Sequence, residues 1–185
     1  MDKRIVRTLE NIREAFFQLA YEGGIDSISV KSLCERAEIN KATFYAHYQG
    51  MYQLIEQMED ETIAEIVEIN QLRQVSPGDV EGFMGNMLDS FLRYRKDKVF
   101  LHSPRRSKFI GKLYECIKAD FSKSFPKIAS HPDFETAFCF LYHGLIGMTL
   151  QYGEGNRQKM PPISSLSQSV TRLLSEYDRV ESEKP

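Results

Sequence analysis

Apolar side chains in the first segment recur at Ile5, Leu9, Ile12, Phe16 and Leu19, a spacing that puts all five on one face of a helix. Gly23-Gly24 closes that helix, because glycine readily takes the left-handed turn after a last helical residue. Ser29 is placed to cap a short helix from Val30 to Ala37, with Val30, Leu33, Cys34 and Ala37 facing inward. A tight Glu38-Ile39 connection follows, and Asn40 is a good N-cap for a third helix over 41–48. A long fourth helix is predicted over 51–72, with Leu54, Ile55, Met58, Ile63, Ile66 and Val67 spaced for burial.

Later helix starts are marked by serine and early proline, which suit a helix N-terminus: the cap satisfies exposed amides and proline's missing donor costs nothing there. Ser76-Pro77 opens a helix carrying Met87, Phe91 and Tyr94, and Ser103-Pro104 one carrying Phe109, Leu113 and Ile117. Ser130-His131-Pro132-Asp133 opens a third that ends near Gly153, and Pro161-Pro162 precedes a last one with Leu166, Val170, Leu173 and Tyr177. No strand-like alternation and no internal repeat is visible. The pattern predicts an all-α fold of about nine helices, with a first domain over 1–58, including the start of the fourth helix, and a second over 59–185.

From Phe134 to Tyr152 the pattern is apolar nearly all round, and a helix without a polar face has to be buried on both sides. One side packing in its own subunit and the other against a second copy meets that demand. Phe140, His143, Gly144, Gly147 and Leu150, with Leu166, Val170, Leu173 and Tyr177 of the last helix, are the expected seam of a homodimer. Gly144 and Gly147 remove bulk where two helices would approach. A buried helix in a monomeric core is the plainer alternative.

Composition narrows the field more by exclusion. The 185 residues are 42% hydrophobic, enough for a real core, and the net charge of −2 is ordinary. No window approaches the roughly 20 apolar residues of a membrane span. Met1-Asp2-Lys3-Arg4 runs into an amphipathic stretch unlike a secretion signal, so the expected compartment is the cytosol. Cys34, Cys116 and Cys139 are too far apart for a zinc or disulfide framework and are expected to be small buried residues. No nucleophile elbow, metalloprotease helix, phosphate-binding glycine loop or carboxylate pair at a catalytic spacing is present, which argues against an enzyme, a metal or a cofactor. Through residue 50 seven Lys/Arg face seven Asp/Glu, so a nucleic-acid role has to rest on placement, with Lys3, Arg4 and Arg7 as a basic arm.

The strongest chemical signal runs from Ser29 to Tyr48: two short helices, a tight turn, and a second helix that begins with a capped polar turn. In a helix-turn-helix the second helix lies in the major groove and its N-terminal residues meet base edges. Here those are Lys41, Ala42 and Thr43, where Ala or the Thr methyl can touch a thymine methyl. Tyr45, His47 and Tyr48 supply donors for phosphates, with Ser29 and Lys31 on the preceding helix as further candidates.

Over Ile5 to Met58 the chain resembles the TetR family of bacterial regulators: the amphipathic first helix with Ala15-Phe16, the Gly-Ile-Asp-Ser-Ile-Ser-Val segment, and Thr43-Phe44-Tyr45-x-His47-Tyr48. The resemblance implies that Phe44 packs inward while Lys41, Thr43, Tyr45, His47 and Tyr48 face DNA, and that the fourth helix links this head to a regulatory domain. Family members usually carry a phosphate-binding lysine at the start of that helix. This chain has Met51, which implies weaker DNA binding and a shallower salt slope.

The second domain is rich in aromatics and methionine, and Met87, Phe91, Tyr94, Phe109, Tyr114, Phe138 and Tyr142 are candidate pocket residues as well as candidate core. Phe138-x-x-x-Tyr142-His143-Gly144-Leu145-Ile146-Gly147-Met148 resembles the C-terminal domain of Firmicute TetR-type regulators related to dihydroxyacetone-kinase operon activators. That resemblance implies a protein coregulator as an alternative to a small-molecule effector. The expected function is a DNA-binding repressor, acting as a homodimer on a palindromic double-stranded operator under effector control. A helical interaction module, or a coregulator-dependent activator with weakened DNA binding, is the rival.

Overall fold

The computed structural model describes residues 3–72, 80–93, 96–152 and 157–159. Over them the chain is all-α: nine α-helices, two 3₁₀ turns and no strand among the described residues. The helices are α1 (Lys3–Gly23), α2 (Val30–Arg36), α3 (Lys41–His47), α4 (Met51–Leu72), α5 (Val80–Arg93), α6 (Lys96–Leu101), α7 (Arg106–Ser124), α8 (Pro126–Ala129) and α9 (Phe134–Tyr152). Ser76-Pro77, Tyr94 and the helix expected to carry Leu166, Val170, Leu173 and Tyr177 lie outside the described residues.

The long amphipathic runs became helices as their spacing predicts, and α4 has the expected ends. The short α6 and α8 were not foreseen, because segments of six and four residues are too brief to show a period. Ser130 has a different job from the one expected. Its Oγ donates to the Lys127 carbonyl at 2.9 Å, closing α8, and α9 begins four residues later at Phe134.

Packing divides the chain into two compact units, residues 1–68 with 94–120, and residues 69–93 with 121–185. This division is not linear in sequence, since α6 and most of α7 join the helices that precede α5.

In the first unit Ile12, Phe16, Leu33, Phe44, Leu54, Phe100 and Phe109 are fully buried. Phe100 of α6 stacks on Phe109 of α7 at 5.1 Å between ring centres and on Phe16 of α1 at 6.4 Å. The buried stripe of α1 begins at Ile12; Ile5, expected on it, is 40% exposed. In the second unit Met87, Leu88 and Phe91 of α5 and Phe138, Tyr142, Leu145 and Ile146 of α9 make the core. Phe121 centres an aromatic group, 4.6 Å from Phe125 and 5.3 Å from Phe138. Of the cysteines, only Cys34 is buried; Cys116 and Cys139 are exposed, against expectation.

Candidate nucleic-acid interface

Two side-chain caps build the helix pair. Ser29 Oγ accepts the Ser32 N–H at 3.0 Å while Ser32 Oγ accepts the Ser29 N–H at 3.0 Å, a reciprocal box that starts α2. Ser29, expected to meet DNA, is exposed, but its hydroxyl is engaged in this box. Between the helices Glu38 sits at φ 54°, in the left-handed region, and the Ile39 N–H reaches back to the Cys34 carbonyl at 3.0 Å. That residue turns the chain sharply enough for α3 to leave at an angle to α2. Asn40 then caps α3, its Oδ1 accepting the Thr43 N–H at 2.8 Å.

The period of α3 sorts its side chains. Phe44 is fully buried and Tyr48 is 3% exposed, their rings stacked at 5.6 Å. On the opposite side Lys41, Ala42, Tyr45 and Ala46 are exposed, Tyr45 to 56%, while Thr43 and His47 are half-buried on the flanks. Lys41, Ala42 and Tyr45, expected to meet DNA, are therefore on the exposed face of α3, opposite its buried aromatic pair.

Tyr48 is not. It lies four residues after Phe44 and so shares the inward face, and burial pushes its phenol up from the usual value. It supports the helix rather than facing a duplex. Lys31 on α2 is exposed beside Glu35 at 4.0 Å, and Arg36 is held by both Glu22 carboxylate oxygens at 2.8 Å.

Behind α3, α4 is fastened by charge. The Gln49 N–H donates to Gln53 Oε1 at 2.7 Å where the helix begins. Further along, Glu59 is fully buried and receives Arg105 Nε at 2.6 Å and Nη2 at 3.1 Å, with Lys112 at 3.5 Å from the same carboxylate. Lys112 also pairs with Asp60 at 2.7 Å, Arg13 with Glu61 at 2.8 Å and Lys96 with Glu65 at 2.8 Å. Lys108 bonds Glu56, holding that carboxyl below its usual range, and reaches the Tyr52 hydroxyl at 3.3 Å. Five carboxylates of α4 are thus tied to cations of α1, α6, α7 and the residue just before α7. No periodicity rule reveals this seam, because paired charges and solvated ones look alike in a sequence.

Among the expected pocket residues, Met87, Phe138 and Tyr142 do line one cavity of about 170 Å³ in the second unit. Phe121, Ile128, Phe134, Ala137 and Leu141 complete its walls, with His131 and Asp133 as its polar members. Phe91 is buried but lines no part of it. Phe109 belongs to the core of the first unit, and Tyr114, also in that unit, lies under the Lys118 ammonium at 5.0 Å. These three were picked by composition alone, which does not say which core an aromatic joins.

The face of α9 opposite its buried stripe carries Phe140, 69% exposed, with His143, Gly144 and Gly147 also exposed and Leu150 half-buried. Among the described residues no helix is long and apolar enough to cross a membrane, and no cluster of metal-ligating groups is present.

Residues 12–58 match the model of the family described as bacterial regulatory proteins, tetR family. A curated relative, the uncharacterised HTH-type transcriptional regulator YxbF of Bacillus subtilis (strain 168), is 33% identical over 69 residues, 37% of this chain. The match spans only 18% of that relative's length. Among solved structures, a transcriptional regulator (TerR/AcrR family) from Aquifex aeolicus VF5 has a similar fold, with TM-score 0.60 and 20% identity over 92% of this chain and 99% of that one. The TetR family repressor AlkX from Dietzia sp. strain DQ12-45-1b is matched at TM-score 0.44 and 17% identity, over 90% of this chain and 95% of that one.

Proposed function

We propose that the chain is a DNA-binding transcriptional regulator of the TetR type, a homodimeric repressor acting in the cytoplasm on a palindromic operator, a reading supported by the match of residues 12–58 to the tetR family model. The observation that carries the reading is the sorting of α3: Lys41, Ala42 and Tyr45 stand out from a helix whose other side, Phe44 and Tyr48, is locked in the core. A recognition helix needs such a fixed, protruding face, because each base contact depends on sub-ångström placement in the groove. In this reading the head within residues 1–58 reads DNA and residues 59–185 pair the copies and take the effector.

The uncovered face of α9 supports pairing. Phe140, Gly144 and Gly147 give a large apolar knob beside positions with no side chain, a surface that a twofold copy of itself can fill. The cavity of the second unit supports a small-molecule effector over a protein coregulator, since a largely apolar volume of about 170 Å³ suits a compact molecule rather than a polypeptide surface. An effector acts only through a difference in affinity between two arrangements of the heads.

The test uses the full chain. Duplexes selected from a random pool are expected to share an inverted repeat with half-sites about one DNA turn apart. Binding is expected to weaken with salt, with a shallower slope than for relatives that carry the lysine at position 51, and sedimentation to give twice the chain mass. A monomer in solution, or single half-sites, removes the dimer. No sequence-selective retention at low salt removes the regulator itself.

A further inference from the structure

We propose that α3 identifies its operator chiefly through 5-methyl groups in the major groove, with Ala42, Thr43 and Ala46 as the reading side chains and thymine as the base they take. The inference rests on the reading of α3 as the DNA-reading helix and adds which chemical feature of the bases it detects.

The Asn40 cap decides this. Asn40 Oδ1 accepts the Thr43 backbone N–H at 2.8 Å, which fixes the oxygen end of that amide toward the helix. Thr43 Oγ1 lies 3.0 Å from the same oxygen, and an oxygen that only accepts leaves the hydroxyl as the donor. Two readers are thereby removed. Asn40 loses the acceptor it needs for a two-point contact with adenine, and Thr43 loses the proton it would give to guanine or to a phosphate. What Thr43 retains toward a ligand is its γ-methyl and the lone pairs of a hydroxyl that is already donating.

Two of the neighbouring exposed positions add no hydrogen-bonding chemistry. Ala42 and Ala46 lie four apart on the outward face and end in methyl groups. Lys41 and Tyr45 flank them, a cation at the start of the helix and a ring 56% exposed. Lys41 Nζ can still donate to guanine O6 and N7 at the helix start, so the methyl readers are the positions that follow it. Of the four bases, thymine alone displays a methyl in the major groove, and small apolar side chains are what contact it. Close approach is possible because nothing longer than alanine stands between the helix backbone and the groove at 42 and 46.

The experiment first selects bound duplexes from a random pool with the full-length protein, then rebuilds the selected site with deoxyuridine at each thymine in turn. Uracil keeps every hydrogen-bonding group and lacks only the methyl. One or two positions per half-site are expected to bind about three- to fourfold more weakly as uracil, the size of one lost methyl burial. Thr43→Val, which keeps the methyl and drops the hydroxyl, is expected to retain every uracil penalty. Thr43→Ser, which keeps the hydroxyl and drops the methyl, is expected to lose the penalty at one thymine while retaining the wild-type melting temperature. A selected site whose uracil forms all bind like thymine overturns the inference and leaves the DNA-reading function standing. A pool from which nothing is enriched overturns both.

Discussion

In the unit that carries α3, α4 is tied to its neighbours by carboxylate–cation pairs, whereas in the other unit α5 and α9 are joined through apolar and aromatic side chains. Glu59 of the first is fully buried with two oxygens on the Arg105 guanidinium. Phe121, Phe138 and Tyr142 of the second pack ring against ring in a wall that leaves about 170 Å³ unfilled. Directed, charge-assisted bonds hold only near one geometry, so they fix α4 in register with α1 and α7. Ring contacts tolerate sliding and leave room, which suits the effector proposed for this unit. Stiffness and adaptability are thus assigned to different chemistries in one small chain.

The largest effect is expected from breaking the ionic seam. Arg105→Ala leaves Glu59 with Lys112 at 3.5 Å as its remaining cation, and stability measured by urea unfolding should fall by about 3–5 kcal/mol. The pair Glu59→Met with Arg105→Met removes both charges and should stay within about 1 kcal/mol of wild type. A harmless single change would show that the seam does not order the unit.

Phe138→Ala tests the other side of the contrast. The ring is 5% exposed, so the loss is expected near the lower end of the roughly 3–5 kcal/mol range for such truncations, because a neighbouring void lets the wall relax. Its cost should not change with salt. A salt-dependent cost would erase the distinction between the two units.

Phe140→Asp should leave the fold within about 0.5 kcal/mol, since the ring is 69% exposed in the single chain. It should halve the mass seen by sedimentation and remove any dependence of the melting temperature on protein concentration. An unchanged mass would detach α9 from dimerisation.

The smallest effect concerns Tyr48. Burial raises its phenol above the ordinary value of 10. Its contribution is fully present below pH 10 and is lost as pH rises through the folded value, because the unfolded chain releases the proton first. Tyr48→Phe should therefore lose less stability than wild type above pH 10, and parallel curves would place the hydroxyl in solvent.

How much of this was visible beforehand differs from residue to residue. Leu33, Phe44, Leu54 and Met58 were legible as core because helical period and apolarity agree there. Ser29 and Asn40 were legible as caps, because short polar side chains before an apolar run have few better uses. Tyr48 was misassigned by chemistry: a hydroxyl suggested an outward role, while its place four residues after Phe44 put it inward. Phe109 and Tyr114 went to the wrong unit because aromatic content carries no address.

Local periodicity and capping are short-range physics, written in neighbours three or four apart, so the linear chain already specified the longer helices and the inward face of α3 at Phe44. Which charges pair and which aromatics share a core depend on distances across the fold. Glu59 and Arg105 are 46 positions apart and meet only once α4 and α7 lie side by side.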